Sequence, residues 1–318
     1  MKGNLGMAEP GSFTGTGRSR AMNASRVTLP KLDPEPLSVL VFLRHRFPFV
    51  TDWESRMARG LVRADGGARL AVDEPYRAGL RILYYREVGA EPEIPFEAKI
   101  IFQDSQIMVA DKPHFLPVTP AGRFVRASLL VRLQEETGLW DLAPLHRLDR
   151  ETAGLVLFSV RQSTRAGFSD LFQKGRIAKT YHAVAPVPAG TSSHDWRVEN
   201  RIEKGEPFFR MACVEGPANA RSSVRLLAER QGLGLFEIRP ETGKKHQIRL
   251  HMAAIGHPIL NDRLYPELQP EPPADALPDF SRPLQLLAKR LEFTDPLTGE
   301  MRIFESEHVL ECDPLKRA

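Results

Sequence analysis

Residues 144–160 read PLHRLDRETAGLVLFSV, and this stretch decides how the larger part of the chain folds. Its first half is polar and highly charged, and after Gly154 it becomes an apolar run that is typical of a buried strand. A loop held by a rigid strand is a common place for catalytic side chains. The same spacing fits a plain salt-bridged turn, in which Asp149 pairs with Arg147 or Arg150.

A second informative stretch, ETGKKHQIRLHMAAIGHPILNDRLY, spans residues 241–265. Apolar residues recur in it with helical spacing and predict a helix that follows Thr242 and Gly243. The residues that carry this spacing are Ile248, Met252 and Ile255. His246 and Arg249 are three residues apart and would share one face of that helix.

The start of this predicted helix is basic. Lys244 and Lys245 precede it, and a helix N-terminus with two lysines would attract phosphate groups. A solvated basic face fits the pattern as well. The residue types around position 246 therefore permit, but do not require, an anion site.

Strand-like runs occur throughout the second half of the chain, with few long helical patterns between them. They lie at residues 100–113, 155–160, 180–187, 222–230 and 235–240. This spacing predicts an α+β fold with one large mixed, mainly antiparallel sheet, and it argues against a doubly wound parallel sheet. Lys179, Thr180 and Tyr181 begin one of these runs, where a tyrosine usually has a packing role.

The chain divides by composition into four segments. Residues 1–32 are rich in glycine and poor in apolar clusters, which predicts a disordered tail; a transit peptide or a later start at Met7 or Met22 fits as well. Residues 33–90 contain two short helical patterns and a strand, and predict a small basic α/β module. Residues 91–97 predict a linker, and residues 98–318 predict the main domain.

The composition excludes several classes of protein. The 318 residues are 42% hydrophobic and 26% charged, with a net charge of +4, and no window is apolar enough for a membrane helix. The two cysteines, Cys213 and Cys312, fit neither a disulfide framework nor a metal site. The wide spacing of His246, His251 and His257 also disfavours a metal site. We expect a cytoplasmic protein without a membrane span.

Five segments, taken in order, resemble motifs of the RluA-type family of RNA pseudouridine synthases. HRLDRETAG at 146–154 looks like HRLD-x-x-T-S-G, KTY at 179–181 looks like K-x-Y, and residues 242–265 look like TGR-T-HQIR followed by GHPI-x-GD-x-x-Y. IIFQDSQIMVADKPHFLPV at 100–118 and LLAKRLEFTDPLTGE at 286–300 resemble the flanking motifs. The resemblance covers residues 98 to 304, about two thirds of the chain.

The departures from these motifs are local. Ala153 replaces a serine, Asn261 a glycine and Leu287 a histidine, while Lys244 and Lys245 stand where Arg-Thr is usual and Thr294-Asp295 replaces x-His. None of them removes a charged catalytic residue of the family pattern. The resemblance implies a catalytic domain of the pseudouridine-synthase type, preceded at 33–90 by an RNA-binding-like module.

The resemblance also implies the roles of individual residues. Asp149 would be the carboxylate that attacks the ribose or carbon-6 of the base, Arg249 would keep it ionised, and Tyr181 would stack on the uracil and either act as the base for the carbon-5 proton or relay it through water. The uridine would be turned out of the RNA, and Arg147 would fill its place. The remaining predicted RNA-binding residues are His146, Lys179, Lys244, Lys245 and His246.

The function implied is site-specific isomerisation of uridine to pseudouridine in structured ribosomal or transfer RNA, without metal or organic cofactor. The expected partner is RNA, and no feature demands an oligomer, so we expect a monomer. Two other interpretations remain. The chain could be a non-catalytic RNA-binding or ribosome-assembly factor on the same scaffold, or the histidines could support metal-dependent hydrolysis of RNA.

Overall fold

The structure is a computed structural model, which describes residues 19–20, 25–48, 50–84, 87–88, 91, 93–121, 124, 126–270 and 278–316. Its strands and helices, in chain order, are β1 (Ser19–Arg20), β2 (Ser25–Thr28), α1 (Val39–Arg46), α2 (Trp53–Ala58), β3 (Val62–Ala64), β4 (Arg81–Tyr84), β5 (Glu87–Val88), β6 (Lys99–Gln103), β7 (Ile107–Lys112), α3 (Leu129–Thr137), β8 (Ala143–Pro144), β9 (Ala153–Ser159), α4 (Arg165–Gln173), β10 (Ala178–Pro186), β11 (Asp195–Lys204), β12 (Met211–Val214), β13 (Ala220–Arg230), β14 (Leu233–Pro240), α5 (Gln247–Ala254), β15 (Leu286–Thr294) and β16 (Met301–Glu305).

The chain forms two compact units, and the first lies within Met1–Glu91 and Gly122–Arg126. It contains α1, α2 and an antiparallel sheet with the order β2-β4-β3. The side chain of Ser38 caps α1 by accepting a hydrogen bond from the Val41 amide. Its core is built from buried apolar side chains of the two helices and the sheet, including Val39, Leu43, Trp53, Met57 and Ile82.

The predicted tail, residues 1–32, differs from the structure at its C-terminal end. Residues 25–28 form β2, which pairs with β4, and Leu29 is buried in the core of this unit. A four-residue strand that contains serine, arginine and threonine has no apolar run, so the sequence pattern alone does not identify it. The part of the predicted tail at residues 1–18 and 21–24 lies outside the described residues.

The predicted linker, residues 91–97, coincides with the division between the units, which falls after Glu91. Its described residues are nevertheless held in place. Ile94 is buried, and the Arg132 guanidinium donates hydrogen bonds of 2.9 and 2.6 Å to the carbonyls of Ile94 and Phe96. Because its backbone is bonded to α3, this segment belongs to the second unit and is not a free spacer.

The second unit, Pro92–Ala121 and Ala127–Ala318, is organised around an 11-stranded sheet. The main path is β12-β11-β13-β14-β10-β15-β9-β7-β6, with β16 paired to β15 and β8 to β9. The pairing of β15 with β9 is parallel, and the other neighbouring pairs in this sheet are antiparallel. This topology confirms the predicted α+β class with a mixed, mainly antiparallel sheet.

Strand β9 and helix α5 position the two stretches that the sequence singled out. β9 is buried along its whole length, so the charged loop before it is fixed to the core of the sheet. Helix α5 packs Ile248 and Met252 into the same cluster as Phe236 of β14. The helix begins at Gln247, a few residues after Thr242 and Gly243, because a turn at residues 245–246 precedes it, closed by a hydrogen bond of 3.1 Å from the Gln247 N–H to the Lys244 carbonyl.

Gly154 lies where β9 approaches β15 most closely. Its φ is +110°, and a Cβ atom placed on it would lie 2.3 Å from the Ala288 carbonyl oxygen. Both the backbone conformation and the short approach exclude a side chain there. The parallel pairing of β9 with β15 therefore depends on glycine at this position.

We expect Gly154→Ala to lower the free energy of unfolding by about 4 kcal/mol or more, because strain at positive φ adds to a clash with backbone. Urea denaturation measures this loss directly. Gly79→Ala is a matched control, since Gly79 also has a positive φ, +82°, but has nothing within 4 Å of its Cβ position. Equal losses in the two variants would show that the close approach to β15 does not matter.

Candidate active site

A cleft of about 1430 Å³ opens beside the loop that precedes β9. It exceeds the range of about 300–1,000 Å³ that is usual for small-ligand pockets. The cleft brings together residues from the two stretches identified in the sequence and from the start of β10: His146, Arg147, Asp149, Lys179, Tyr181, Lys244, Lys245, His246 and Arg249. All nine predicted site residues therefore line one cavity.

Asp149 lies at the centre of this group, in the loop between β8 and β9. Its side chain is 27% exposed, and Oδ2 lies 3.4 Å from Nη1 of Arg249 and 3.8 Å from Nε2 of His246. The salt bridge expected within the turn is instead made by Arg150 with Glu151, at 2.6 Å. Asp149 thus combines a cationic neighbour with access to the cleft, which a carboxylate nucleophile requires.

The guanidinium of Arg249 is held by a second carboxylate, that of Asp262. Nε and Nη2 donate hydrogen bonds of 2.7 and 2.6 Å to its two oxygens, and the Arg249 side chain is only 4% exposed. Burial disfavours the charge, but the hydrogen bonds and negative charge of Asp262, together with Asp149, outweigh burial and raise the pKa of Arg249. Arg249 therefore carries a permanent positive charge next to Asp149.

Asp262 and Tyr265 are site residues that the sequence analysis quoted within a motif but gave no role. Asp262 also accepts hydrogen bonds from the backbone N–H groups of Leu264 and Tyr265, so it fixes the turn after α5 as well as the guanidinium. The Arg249 guanidinium lies 5.3 Å from the Tyr265 ring centroid, within cation–π range. The signal that could have identified them is the D-x-x-Y spacing itself.

His246 precedes α5 in a left-handed conformation, with φ 56°, which directs its ring towards the cleft. Nδ1 lies 2.8 Å from the Tyr265 hydroxyl, which also accepts a hydrogen bond from the Met211 N–H. Burial lowers the pKa of His246 to about 4, so the ring is neutral. The Tyr265 hydroxyl also donates a hydrogen bond of 3.2 Å to the Met211 carbonyl, so Tyr265 fixes the position of the His246 ring, whose Nε2 lies 3.8 Å from Asp149 Oδ2.

Tyr181 follows a β-bulge in the pairing of β10 with β15, and such a bulge can re-aim a side chain. The side chain lines the cleft. Burial, reinforced by the negative charge of Asp149, raises the pKa of the Tyr181 phenol above its ordinary value. The phenol is therefore protonated at neutral pH in the free protein.

Lys112, at the end of β7, is a buried cation that the sequence analysis did not single out. Its side chain is inaccessible to solvent, and Nζ donates hydrogen bonds of 2.9 and 3.1 Å to the carbonyls of Pro113 and Arg150. Burial lowers the pKa of Lys112 to about 7, against the opposing charges of Glu151 and Asp149. Its contact with Arg150, next to Asp149, ties the loop before β9 to the core of the sheet.

His146 occupies a supporting position in the loop. Its Nε2 accepts a hydrogen bond of 3.0 Å from the Leu157 N–H in β9, and its ring stacks on Phe172 with a centroid distance of 4.6 Å. Burial, with the nearby Lys179, lowers the pKa of His146 to about 3. The Nε2 atom is therefore engaged by the sheet, and the geometry favours loop support over RNA contact.

The other predicted RNA-binding residues surround the cleft. Arg147, Lys244 and Lys245 are exposed. Lys179 is partly buried and donates a hydrogen bond of 3.3 Å to the Thr242 carbonyl. Lys245 donates one of 2.8 Å to the Phe209 carbonyl. These cations lie where a polyanion would approach the opening.

The three histidines weighed as metal ligands point to separate partners. His246 bonds Tyr265, Nε2 of His251 lies 3.0 Å from Asn200 Oδ1, and Nδ1 of His257 lies 2.9 Å from the Pro186 carbonyl. Within the described ranges no three His, Cys, Asp or Glu side chains come together as a metal site.

Among the helices of the described residues, none combines the length and apolar character needed to cross a bilayer.

The neutral histidines predict how stability depends on pH. Burial lowers the pKa of His114, His146, His246 and His251 to values of about 3 to 4, whereas the unfolded chain titrates near 6.5. The unfolded state therefore binds more protons below pH 6.5, and the free energy of unfolding falls as the pH falls from 6.5 towards 4. Each histidine contributes at most about 1.4 kcal/mol per pH unit.

Urea denaturation between pH 7 and 5 measures this effect, because unfolded carboxyl groups titrate mainly below that range. Comparing variants with the unsubstituted protein cancels the contribution of Lys112, whose pKa of about 7 also falls in this range. We expect the free energy of unfolding of His146→Gln to depend less steeply on pH than that of the unsubstituted protein. The difference corresponds to the uptake of up to one proton fewer on unfolding. The same substitution at His45, which is exposed at the end of α1, serves as the control for replacing a histidine by glutamine. An unaltered slope in His146→Gln would contradict a neutral His146.

Comparisons with known proteins agree with this geometry. Residues 106–254 match the RNA pseudouridylate synthase family. An uncharacterised RNA pseudouridine synthase of Synechocystis is 32% identical over 218 residues, which cover 67% of this chain and 73% of that protein. The ribosomal large subunit pseudouridine synthase D of Nitrosomonas europaea is 31% identical over 65% of this chain and 61% of its own length.

A solved structure supports the fold assignment. Human RNA pseudouridylate synthase domain containing 1 superposes with a TM-score of 0.54 at 18% identity, over 69% of this chain and 86% of that one. At this identity the likeness concerns the fold alone. The family is shown by the Synechocystis relative together with the family match: the chain belongs to the RluA-type family of RNA pseudouridine synthases.

Proposed function

We propose that the chain isomerises specific uridines to pseudouridine in structured ribosomal or transfer RNA, with Asp149 as the nucleophile. The observation that carries this proposal is the position of Asp149, which is open to the cleft and 3.4 Å from the buried guanidinium of Arg249. A carboxylate near an aromatic base tends to take up a proton, and a fixed cation opposes that. The pair therefore suits a reaction that needs an ionised carboxylate.

The reaction breaks the bond between ribose carbon-1′ and uracil N1 and forms one between carbon-1′ and carbon-5. Asp149 attacks either carbon-1′ or carbon-6, and the adduct later releases the carboxylate unchanged. The proton on carbon-5 is lost, and N1 gains one, so the product is an isomer of the substrate. Because its phenol stays protonated, we assign Tyr181 to stacking on the uracil and to relay through water.

The target uridine must leave its stack to reach Asp149, at a cost of a few kcal/mol. We assign Arg147 to the vacated position, because it is exposed and only two residues from Asp149. We assign contacts with RNA phosphates near the opening of the cleft to Lys179, Lys244 and Lys245. We assign His246 to a position beside the Asp149 carboxylate, where it also contacts the RNA. Affinity for RNA should then fall as salt is raised.

The remaining assignments concern the whole chain. We propose that the unit before the catalytic domain contacts RNA, since the last turn of α1 is basic: Arg44, His45 and Arg46. We further propose a monomer that acts in the cytoplasm, since no feature of the sequence demands an oligomer and the free thiols Cys213 and Cys312 suit a reducing compartment. The name of the Nitrosomonas relative makes ribosomal RNA the first substrate to test.

Release of tritium from RNA that contains [5-³H]uridine tests the activity directly, because the proton on carbon-5 is lost. The purified full chain is incubated with unmodified ribosomal RNA and, separately, with unmodified transfer RNA. We expect release from one of them, at a plateau of one or a few uridines per molecule. No release from either RNA would overturn the proposal.

A further inference from the structure

The loop that joins β11 to β12, residues 205–210, has the sequence GEPFFR and lies at the edge of the cleft. Phe209 is among the residues that line the cavity. Phe208 packs edge-to-face on Phe209, with centroids 5.5 Å apart and planes at 79°. Phe209 thus lines the cleft and Phe208 stands directly beside it, and neither ring has a role in the proposed reaction.

The loop is held firmly on both sides. Its ends close on each other, since the Gly205 N–H bonds the Arg210 carbonyl at 3.2 Å. Lys245, which precedes α5, donates to the Phe209 carbonyl at 2.8 Å, and Arg210 donates to the Pro266 carbonyl at 3.0 Å. The rings are therefore presented on a fixed support, and binding a ligand would require little ordering of the loop.

Phe208 nevertheless remains 86% exposed, the highest value among the large aromatic side chains described. Its only recorded ring contact within the described residues is with Phe209. An exposed phenyl ring contributes little hydrophobic stabilisation to the fold. Packing therefore does not explain why a phenylalanine stands at position 208. The ring has a free face for a flat partner.

The charges around the ring indicate what that partner is. Lys244 and Lys245 lie beside the loop on the cleft, and Arg210 lies over the Tyr265 ring at 5.1 Å. Glu206 is the acidic residue of the loop itself. An aromatic face next to several cations is the combination by which proteins bind unpaired nucleotides, with stacking for the base and charge for the phosphate.

We propose that Phe208 is a stacking platform for an unpaired nucleobase next to the target uridine in the RNA strand. This inference rests on the proposed function. It adds to that function a residue that contributes to the choice of RNA substrate. When the uridine enters the cleft, its neighbour in the strand loses a stacking partner. Phe208 replaces that partner, while Phe209 forms the wall between the platform and the cavity.

The test compares Phe208 variants of the full chain in the tritium-release assay, on the RNA that the unsubstituted protein modifies. Stacking predicts that Phe208→Ala raises KM about tenfold, with kcat changed less than threefold, because the platform acts in binding and not in the chemical step. Phe208→Trp and Phe208→Tyr should restore KM to within threefold. Phe208→Leu, which keeps apolar bulk without a flat ring, should behave like alanine.

Trp140→Ala is the matched control, since Trp140 is another exposed aromatic residue but has no sequence neighbour that lines the cleft, whereas Phe208 adjoins Phe209; it should leave KM unchanged. An unchanged KM in Phe208→Ala would overturn the inference, as would full recovery in Phe208→Leu, which would indicate a plain apolar contact. These outcomes require an active unsubstituted protein. Failure of the proposed function, in which that protein releases no tritium, is therefore distinct from failure of the platform.

Discussion

Replacing Asp149 by asparagine is expected to lower tritium release about 10³-fold or more, while RNA affinity stays within about threefold. An amide has nearly the shape of the carboxylate but lacks its charge and nucleophilicity. The fold should tolerate it, because Asp149 is partly exposed and Arg249 keeps its two hydrogen bonds to Asp262. Rates come from single-turnover release, and affinity from filter binding of the same RNA.

The control for this variant is Asp141→Asn, which changes the same chemical group on an exposed aspartate that does not line the cleft. It should retain full activity. If Asp149→Asn kept more than a tenth of the rate, another residue would have to be the nucleophile. If it lost RNA binding as well as activity, Asp149 would instead have a structural role.

Replacing Arg249 by methionine is expected to lower both stability and activity. The substitution leaves the Asp262 carboxylate, whose side chain is 1% exposed, without its counterion. An uncompensated buried charge costs about 3–5 kcal/mol, so the urea midpoint should fall substantially. Asp149 also loses the cation that lies 3.4 Å from its carboxylate, so tritium release should fall as well.

A second substitution separates these two effects. Asp262→Asn removes the buried charge and keeps an oxygen for the Leu264 and Tyr265 N–H groups. In the Arg249→Met/Asp262→Asn protein we expect most of the lost stability to return but the activity to remain low. Recovery of activity together with stability would show that Arg249 serves the fold and not the nucleophile.

Local patterns in the sequence predict the sheet better than they predict the site. Alternating and apolar runs identify β9, β10, β13 and β14, because their residues are buried on one or both faces. Such patterns do not predict β2, because its four residues form a strand by pairing with β4, which is distant in sequence. The end of the predicted tail is therefore misplaced.

The site depends on contacts that local patterns do not contain. Asp149 and Arg249 are 100 residues apart, and only the succession of family-like motifs indicates that they belong together. Lys112 was not singled out because a lysine is normally exposed, and only its complete burial under the loop reveals a role. His146 was grouped with RNA-binding residues because sequence cannot show that its Nε2 already accepts the Leu157 N–H.

Arg249 contacts two carboxylates, those of Asp149 and Asp262, and this has a consequence for the catalytic cycle. When Asp149 becomes an ester in the proposed covalent adduct, it is electrically neutral, and a guanidinium that relied on it alone would be left unbalanced in a site closed by RNA. Asp262 remains bonded to Arg249 at 2.6 and 2.7 Å and does not take part in bond formation. The charge of the guanidinium is thus compensated before, during and after the adduct, so the enzyme needs no counterion exchange between steps.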